Sequence, residues 1–254
     1  PELTMFDSNG AKAAPGVILK SDATMTVTGL INHVVVTQHY RNENPFAVNA
    51  RYVFPLPDES AVHAMTMHIG ERVIKGEIDK KAQAELRFQQ AQQAGKQAAL
   101  VRQQRANMFV TNVANIGPGE EVQIELQYQE VIDYRSGTFA PIYMATKNAG
   151  SVQGEFKLTV NIDVGLELVD IQSKYHRINT ENLAFGQYQV TLNEQRAVNR
   201  DFLLEFKPLQ KEQAQAAFFT EQLSNGERYG LLMLLPPDDH FTQTQRLARE
   251  MIFV

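Results

Sequence analysis

Alternation of apolar and polar side chains with a period of two is the sequence feature that most constrains this fold. Residues 156–164 follow it throughout, with apolar residues at every even position. Such a segment places all its apolar side chains on one face of a half-buried β-strand. Residues 122–128 repeat the pattern directly after a Gly-Pro-Gly turn signal, and shorter cases lie at 23–27, 34–40, 52–56, 65–69, 188–192 and 202–206. The sequence therefore predicts a mainly β, antiparallel β-sandwich architecture.

One segment departs from this pattern. Residues 79–94 are rich in strong helix formers and contain no Gly, Pro or β-branched residue. Asp79 is a suitable N-cap, Gly95 a suitable C-terminal cap, and Phe88 shares one face with Ala84 and Ala91. We predict one principal α-helix over 79–94 that docks on a sheet; a solvated helix that packs through Phe88 alone is the alternative.

A β-hairpin is predicted near the C-terminal end, over residues 218–235. Two apolar runs flank Ser224-Asn225-Gly226-Glu227, and Asn-Gly between apolar runs is a strong hairpin signal. The second run, Leu231–Leu235, does not alternate, so we expect it to be buried on both faces. Pro236-Pro237 ends it, residues 236–245 are interpreted as a linker, and residues 251–254 as the start of another apolar strand.

Composition narrows the classes of function. The 254 residues exceed the length of a typical domain, so two β units are favoured and one large unit is the alternative. The net charge is -5 and no basic block is present, which argues against nucleic acid as a partner. The absence of cysteine removes disulfides and thiolate nucleophiles, and no apolar run approaches the ~20 residues of a membrane span.

The six histidines are the first candidates for chemistry. His33 and His39 would share one face of a strand but lie about 20 Å apart, too far to hold one metal ion. His63 and His68 would point to opposite faces of their strand. We interpret all of them as surface or half-buried strand residues; a site assembled from different strands is the minor alternative.

Other combinations of residues have weaker support as metal-binding or catalytic sites. Asp238-Asp239-His240 follows the double proline and is interpreted as a solvated loop. Ser60 near His63, and Ser173 near His176, lack a G-x-S-x-G elbow, and no phosphate-binding glycine motif occurs. We therefore expect no catalytic, cofactor-binding or metal-ligating residue in this chain, and predict that it is not an enzyme.

An ordered series of short motifs over residues 52–128 carries a family resemblance. It comprises Phe54-Pro55-Leu56-Pro57, Ile69-Gly70, Gly76-Glu77-Ile78, the 79–94 segment with its spaced alanines and Phe88, Gly95 to Leu100, Asn115 to Glu120, and Tyr128. This series resembles the VIT family, named after vault protein and inter-alpha-trypsin inhibitor. The aromatic residue of the helix is commonly Tyr in that family, so Phe88 is a mild departure.

The resemblance implies a domain organisation. Residues 1–148 would form the VIT domain and 149–236 a second β-sandwich-like subdomain that includes the hairpin. Residues 237–254 would be a linker and the first strand of a truncated von Willebrand A domain. Among VIT proteins the chain is most similar to marine proteobacterial sortase-target proteins. This implies an extracytoplasmic, membrane-anchored parent protein whose divalent cation is bound only in the missing downstream domain.

The function expected from this resemblance is that of a non-catalytic structural and interaction module. It would position the downstream metal-dependent adhesion domain, and its partners would be that domain and an extracellular protein or matrix ligand. A stand-alone carbohydrate-binding β-sandwich is the alternative, and exposed aromatic residues on one sheet face would favour it. A hydrolase would instead require a cleft with convergent acidic or histidine side chains of perturbed pKa.

Overall fold

The computed structural model describes residues 2–57, 60–76, 99–105, 108–135, 137–143, 154–192 and 201–237. Within these ranges the chain forms β-strands and no helix, so the predicted mainly β class is confirmed. The predicted helix over 79–94, with Phe88, lies outside the described residues. The strands are β1 (Glu2–Phe6), β2 (Val17–Thr28), β3 (Ile31–Arg41), β4 (Val48–Pro55), β5 (Ala61–Ile69), β6 (Arg72–Lys75), β7 (Ala99–Arg105), β8 (Met108–Ile116), β9 (Glu121–Val131), β10 (Tyr134–Arg135), β11 (Thr138–Phe139), β12 (Ile142–Tyr143), β13 (Glu155–Asp163), β14 (Leu168–Ser173), β15 (Ile178–Ala184), β16 (Gln187–Leu192), β17 (Phe202–Pro208), β18 (Gln215–Gln222) and β19 (Arg228–Leu235).

The largest sheet has eight strands in the order β15-β16-β13-β2-β3-β9-β5-β6. Its strands alternate as predicted: in β9 and β13 every second residue is buried. All neighbours are antiparallel except β13 and β2, which run parallel. The period-two pattern does not distinguish parallel from antiparallel pairing, because side chains alternate between the two faces in both kinds of sheet.

A second sheet, in the order β1-β4-β8-β7, covers the inner face of the large sheet and makes a sandwich. Tyr52 of β4 meets Tyr40 of β3 with ring centroids 6.3 Å apart, and Phe54 of β4 meets Tyr128 of β9 at 5.8 Å. A third sheet joins β10, β11, β17 and β12, with β14 also paired to β17. Side chains from all three sheets share one continuous apolar core.

The boundary predicted at residues 148 and 149 lies between strands of one sheet. β13, from the predicted second subdomain, pairs along its whole length with β2 of the predicted first domain. Apolar residues from both sides of the boundary also belong to the same core. The division into 1–148, 149–236 and 237–254 stays a prediction.

The predicted hairpin is formed by β18 and β19, joined through the Asn225-Gly226 turn. Met233 and Leu235 are buried, whereas Leu232 and Leu234 are 59% and 67% exposed. The expectation that Leu231–Leu235 is buried on both faces is therefore wrong. The reason is that β19 pairs only with β18 among the described strands, and the two-stranded sheet packs on the rest of the molecule through one face.

Candidate functional site

Two histidines from different strands meet on the outer face of the large sheet, the face opposite the second sheet. The Nε2 atoms of His33 and His63 are 3.3 Å apart, and their ring centroids are 5.1 Å apart. His33 lies on β3 and His63 on β5, with β9 between them. Gln129 of β9 is the direct neighbour of His33, so the two imidazoles meet above this middle strand.

A β-bulge brings His63 to this face. The pairing of β5 with β9 shifts between Val62 and Ala64, which leaves His63 as an extra residue on the bulged strand. An extra residue changes the phase of the alternation, so His63 lies on the same face as His68. The prediction that these two point to opposite faces is therefore wrong. The sequence does contain a signal for the bulge, since Val62 and Met65 are three positions apart whereas Met65, Met67 and Ile69 follow at two.

His39 and His68 provide an internal comparison. They lie on the same two strands as the first pair, and each is the direct neighbour of Gln123 on β9. No bulge interrupts this part of β5. Among the described residues no ring contact joins His39 to His68, in contrast to the pair at the bulge.

The histidine pair lines a cavity of about 700 Å³. One wall is the outer face of the large sheet, with Thr26, Thr28 and Gln129 beside the histidines. The other wall is the hairpin, which contributes Glu221 and Tyr229 near the turn. The hairpin packs close to the β2–β3 turn, where a Cβ atom added to Gly29 would lie 3.1 Å from the Phe219 ring.

The environment of His33 favours its neutral form. Partial burial lowers the pKa of His33 below its usual value of 6.5, and the neighbouring His63 lowers it further. Burial removes water that would solvate an imidazolium, and a second positive charge nearby would repel it. At neutral pH His33 therefore presents an uncharged ring whose nitrogen lone pair is available.

The other candidates from the sequence that the structure describes have structural contacts. Ser173 donates its hydroxyl hydrogen bond to the Leu203 carbonyl, and Ser60 donates to the Pro57 carbonyl. His176 is buried and packs on the Phe202 ring. Within the described ranges no three His, Cys, Asp or Glu side chains gather closely enough to hold a metal ion. Asp238-Asp239-His240 lies outside the described residues.

Exposed aromatic residues, the feature that would favour a carbohydrate-binding face, are scattered. Phe46, Tyr175 and Phe185 lie in three separate loops or turns, and Phe218 and Tyr229 lie on opposite faces of the hairpin. In the described part of the chain no two of them share one face of a sheet. Stacking on a sugar ring would need them side by side, so this arrangement does not favour the alternative function.

The Asn115–Glu120 motif forms the turn between β8 and β9, and the buried side chain of Asn42 holds this turn in place. Asn115 adopts a positive φ of 58°, and the Glu120 carboxylate accepts a hydrogen bond from the Gly117 N–H at 2.7 Å. The Nδ2 group of Asn42 donates to the carbonyls of Ile116 and Gly117 at 3.1 and 2.9 Å. Asn42 was not singled out from the sequence, because nothing in its local pattern marks it.

The other motifs converge on the same part of the fold. Phe54, from the Phe-Pro-Leu-Pro motif, packs against Tyr128, the last residue of the series. Gly70 lies against Glu120: a Cβ atom at Gly70 would be only 3.1 Å from the Glu120 carboxylate. The spaced motifs are thus structural positions that hold β4, β5 and β9 together.

Comparison with known families agrees with these motifs. Residues 18–128, from β2 to the end of the series at Tyr128, match the Vault protein inter-alpha-trypsin domain. This matching segment, residues 18–128, is the VIT region of the chain. The described strands β2 to β9, the Asn115–Glu120 turn and both cavity histidines therefore belong to the VIT region.

Three proteins of similar sequence are informative. The rat von Willebrand factor A domain-containing protein 5A is 30% identical over 47% of this chain and 15% of its own length. The mouse protein mono-ADP-ribosyltransferase PARP4 is 31% identical over 45% of this chain and 6% of its own. The pig inter-alpha-trypsin inhibitor heavy chain H2 is 24% identical over 80% of this chain and 21% of its own. The chain thus matches only a small part of each relative.

Among solved structures, the "putative nutrient binding protein" of Legionella pneumophila is similar over 76% of this chain and 67% of its own. The TM-score is 0.48 and the identity 10%. That degree of likeness supports no inference about this chain. No helix that is long and apolar enough to cross a membrane occurs in the part of the chain that the structure describes.

Proposed function

We propose that this chain is a non-catalytic structural and interaction module that positions a von Willebrand A domain following it in the parent protein. The observation that carries the proposal is the outer hairpin face, which we define as Phe218, Leu232 and Leu234. Phe218 is 66% exposed, and the two leucines are exposed to a similar degree. Adjacent exposed apolar residues of this size favour a docking surface over a solvated one.

The backbone of the hairpin supports the same interpretation. β18 and β19 pair only with each other among the described strands, so both outer edges have free hydrogen-bonding groups. Isolated two-stranded sheets are marginally stable in water, and exposed apolar edges favour pairing with another chain or domain. The inner face of the hairpin already packs on the core, which leaves the outer face for a partner.

The position of the hairpin in the chain indicates the partner. Leu235 ends β19, and Pro236-Pro237 follow directly. Residues 236–250 separate it from the apolar segment 251–254, a tether that reaches about 50 Å at full extension. A domain beginning at 251 would therefore remain within reach of the outer hairpin face. One protein of similar sequence is the rat von Willebrand factor A domain-containing protein 5A.

The non-catalytic part of the proposal rests on what the candidate residues do. The serines near His63 and His176 donate to backbone carbonyls, and His176 packs on Phe202, so these side chains serve the fold. In the parent protein, we propose that the Mg²⁺-type adhesion cation belongs to the downstream domain. Display outside the cytoplasm, anchoring by a sortase and binding of an extracellular protein or matrix ligand belong to the same proposal.

Hydrogen exchange measured by mass spectrometry tests the docking. Amide exchange in β18 and β19 is compared between residues 1–254 and a protein extended through the following domain. We expect slower exchange in both hairpin strands of the longer protein, because docking covers the outer hairpin face. The exposed edge strand β15 is the internal control and should exchange equally in both. Equal exchange of the hairpin in the two proteins would contradict the proposal.

A further inference from the structure

The histidine pair on the outer face of the large sheet has a use that a purely structural module does not require. We propose that His33 and His63 bind a borderline transition-metal ion, with Zn²⁺ as the probe, through their Nε2 atoms at the wall of the cavity. This revises the expectation that the chain contains no metal-ligating residue.

The distance between the nitrogens fits a shared ion. Two imidazole nitrogens that bind one zinc ion at about 2.0–2.1 Å in tetrahedral geometry lie about 3.3 Å apart. The Nε2 atoms of His33 and His63 are 3.3 Å apart. The two rings converge through these atoms from opposite sides of β9, so an ion could lie against both without a change in the strands.

The protonation of the pair suits metal binding. Imidazole binds a metal ion only in its neutral form, so protons compete for the site. Burial and the neighbouring His63 both lower the pKa of His33, which reduces this competition near neutral pH. In the absence of metal, one ring can donate its Nε2–H to the other across the same 3.3 Å.

The donor set and the cavity define the class of ion. Imidazole nitrogen favours Zn²⁺, Cu²⁺ and Ni²⁺, whereas Mg²⁺ and Ca²⁺ favour oxygen ligands. Among the described residues no third His, Cys, Asp or Glu joins the pair closely enough to complete a site. The remaining positions would therefore be filled by water, for which the cavity of about 700 Å³ has room.

The bulge supports the view that this placement is specific. β5 carries two histidines beside β9, and only the one at the bulge contacts its counterpart on β3 in the described structure. Bulges commonly re-aim a side chain at a functional site. His39 and His68, on the regular part of the same strands, thus form a matched control pair.

Isothermal titration with Zn²⁺, in a buffer that does not chelate it, tests the site on residues 1–254. We compare the wild type with His33→Gln, His63→Gln and the double control variant His39→Gln/His68→Gln. We expect one zinc ion per wild-type chain, a loss of affinity of roughly tenfold or more in each single variant, and unchanged binding in the control. The absence of saturable binding, or an equal loss in the control, would overturn the proposal.

A second measurement uses only the wild-type protein, so its result does not depend on whether a variant folds. Nuclear magnetic resonance of ¹⁵N-labelled histidine follows all six imidazoles of the wild type during the zinc titration. We expect the Nε2 resonances of His33 and His63 to shift with the stoichiometry seen by calorimetry. Zinc binding that leaves those two resonances in place, or that shifts other histidines instead, would assign the ion elsewhere and refute the site.

Discussion

Replacement of Asn42 by alanine should destabilise the VIT region strongly, because this one side chain joins two loops. Asn42 is fully buried and directly follows β3. Its Nδ2 group donates to the carbonyls of Phe46, Ile116 and Gly117 at 2.9–3.1 Å. Its Oδ1 atom accepts from the backbone and side-chain amides of Asn44 at 3.0 and 2.9 Å.

The magnitude follows from these contacts. The amide has two hydrogens and one oxygen that accepts two bonds, so about four hydrogen bonds are lost in Asn42→Ala. At a net value of about 1 kcal/mol each the loss is about 4 kcal/mol. Two of the carbonyl contacts are only partly buried, so water compensates part of the loss. We therefore expect the free energy of unfolding to fall by about 3 kcal/mol.

Equilibrium unfolding in urea, followed by far-ultraviolet circular dichroism, measures this quantity in a chain without tryptophan. Asn182→Ala is the matched control, because Asn182 is exposed on the edge strand β15 and its change should stay within about 0.5 kcal/mol. A loss below about 1 kcal/mol in Asn42→Ala, with an unchanged dependence on urea, would show that the network around Asn115–Glu120 does not hold the turn.

Two further predictions concern the hairpin and the histidines. Met233→Ala should lower the free energy of unfolding by about 2–5 kcal/mol, whereas Leu234→Ala should change it by less than about 1 kcal/mol, because only Met233 is buried; urea unfolding that reverses this order would mean that the packed face is misassigned. The pKa of His33 in the folded protein is lowered below its usual value of 6.5. Between 6.5 and this lowered pKa the unfolded state binds more protons than the folded state, so stability is lost as the pH falls through this range. The urea midpoint should therefore drop more between about pH 7 and about pH 5 in the wild type than in His33→Gln, and equal drops would argue against this assignment.

The regular strands could be predicted from the sequence because burial on one face imposes the period-two pattern directly. β9 and β13 are the clearest examples, and the Asn225-Gly226 turn located the hairpin. The packing of that hairpin could not be predicted in the same way. Leu231–Leu235 is apolar at every position, which is compatible with burial of one face of the strand or of both. Only one face is buried, and Leu232 and Leu234 on the other face are exposed.

The candidate site was harder to predict because it depends on one inserted residue. Strand spacing alone assigns His63 to the wrong face, and only the bulge between Val62 and Ala64 corrects it. The pairing of β3 and β5 with β9 is likewise a long-range property that local alternation does not contain. The motif series predicted the VIT region, yet it did not indicate Asn42, because the carbonyls of Ile116 and Gly117 that it binds lie far along the chain.

The parallel pair formed by β2 and β13 has a consequence for how the chain acquires its structure. Each of its paired positions joins residues that are 135 apart, from Lys20 with Glu155 to Thr28 with Asp163. Contacts of such high sequence separation form slowly, because a long loop must close before they contribute. During synthesis the antiparallel strands β2, β3 and β9 can pair first. The other edge of β2 remains unpaired with β13 until residue 163 has left the ribosome. A shortened chain that ends with the VIT match at residue 128 would keep that edge permanently open to self-association.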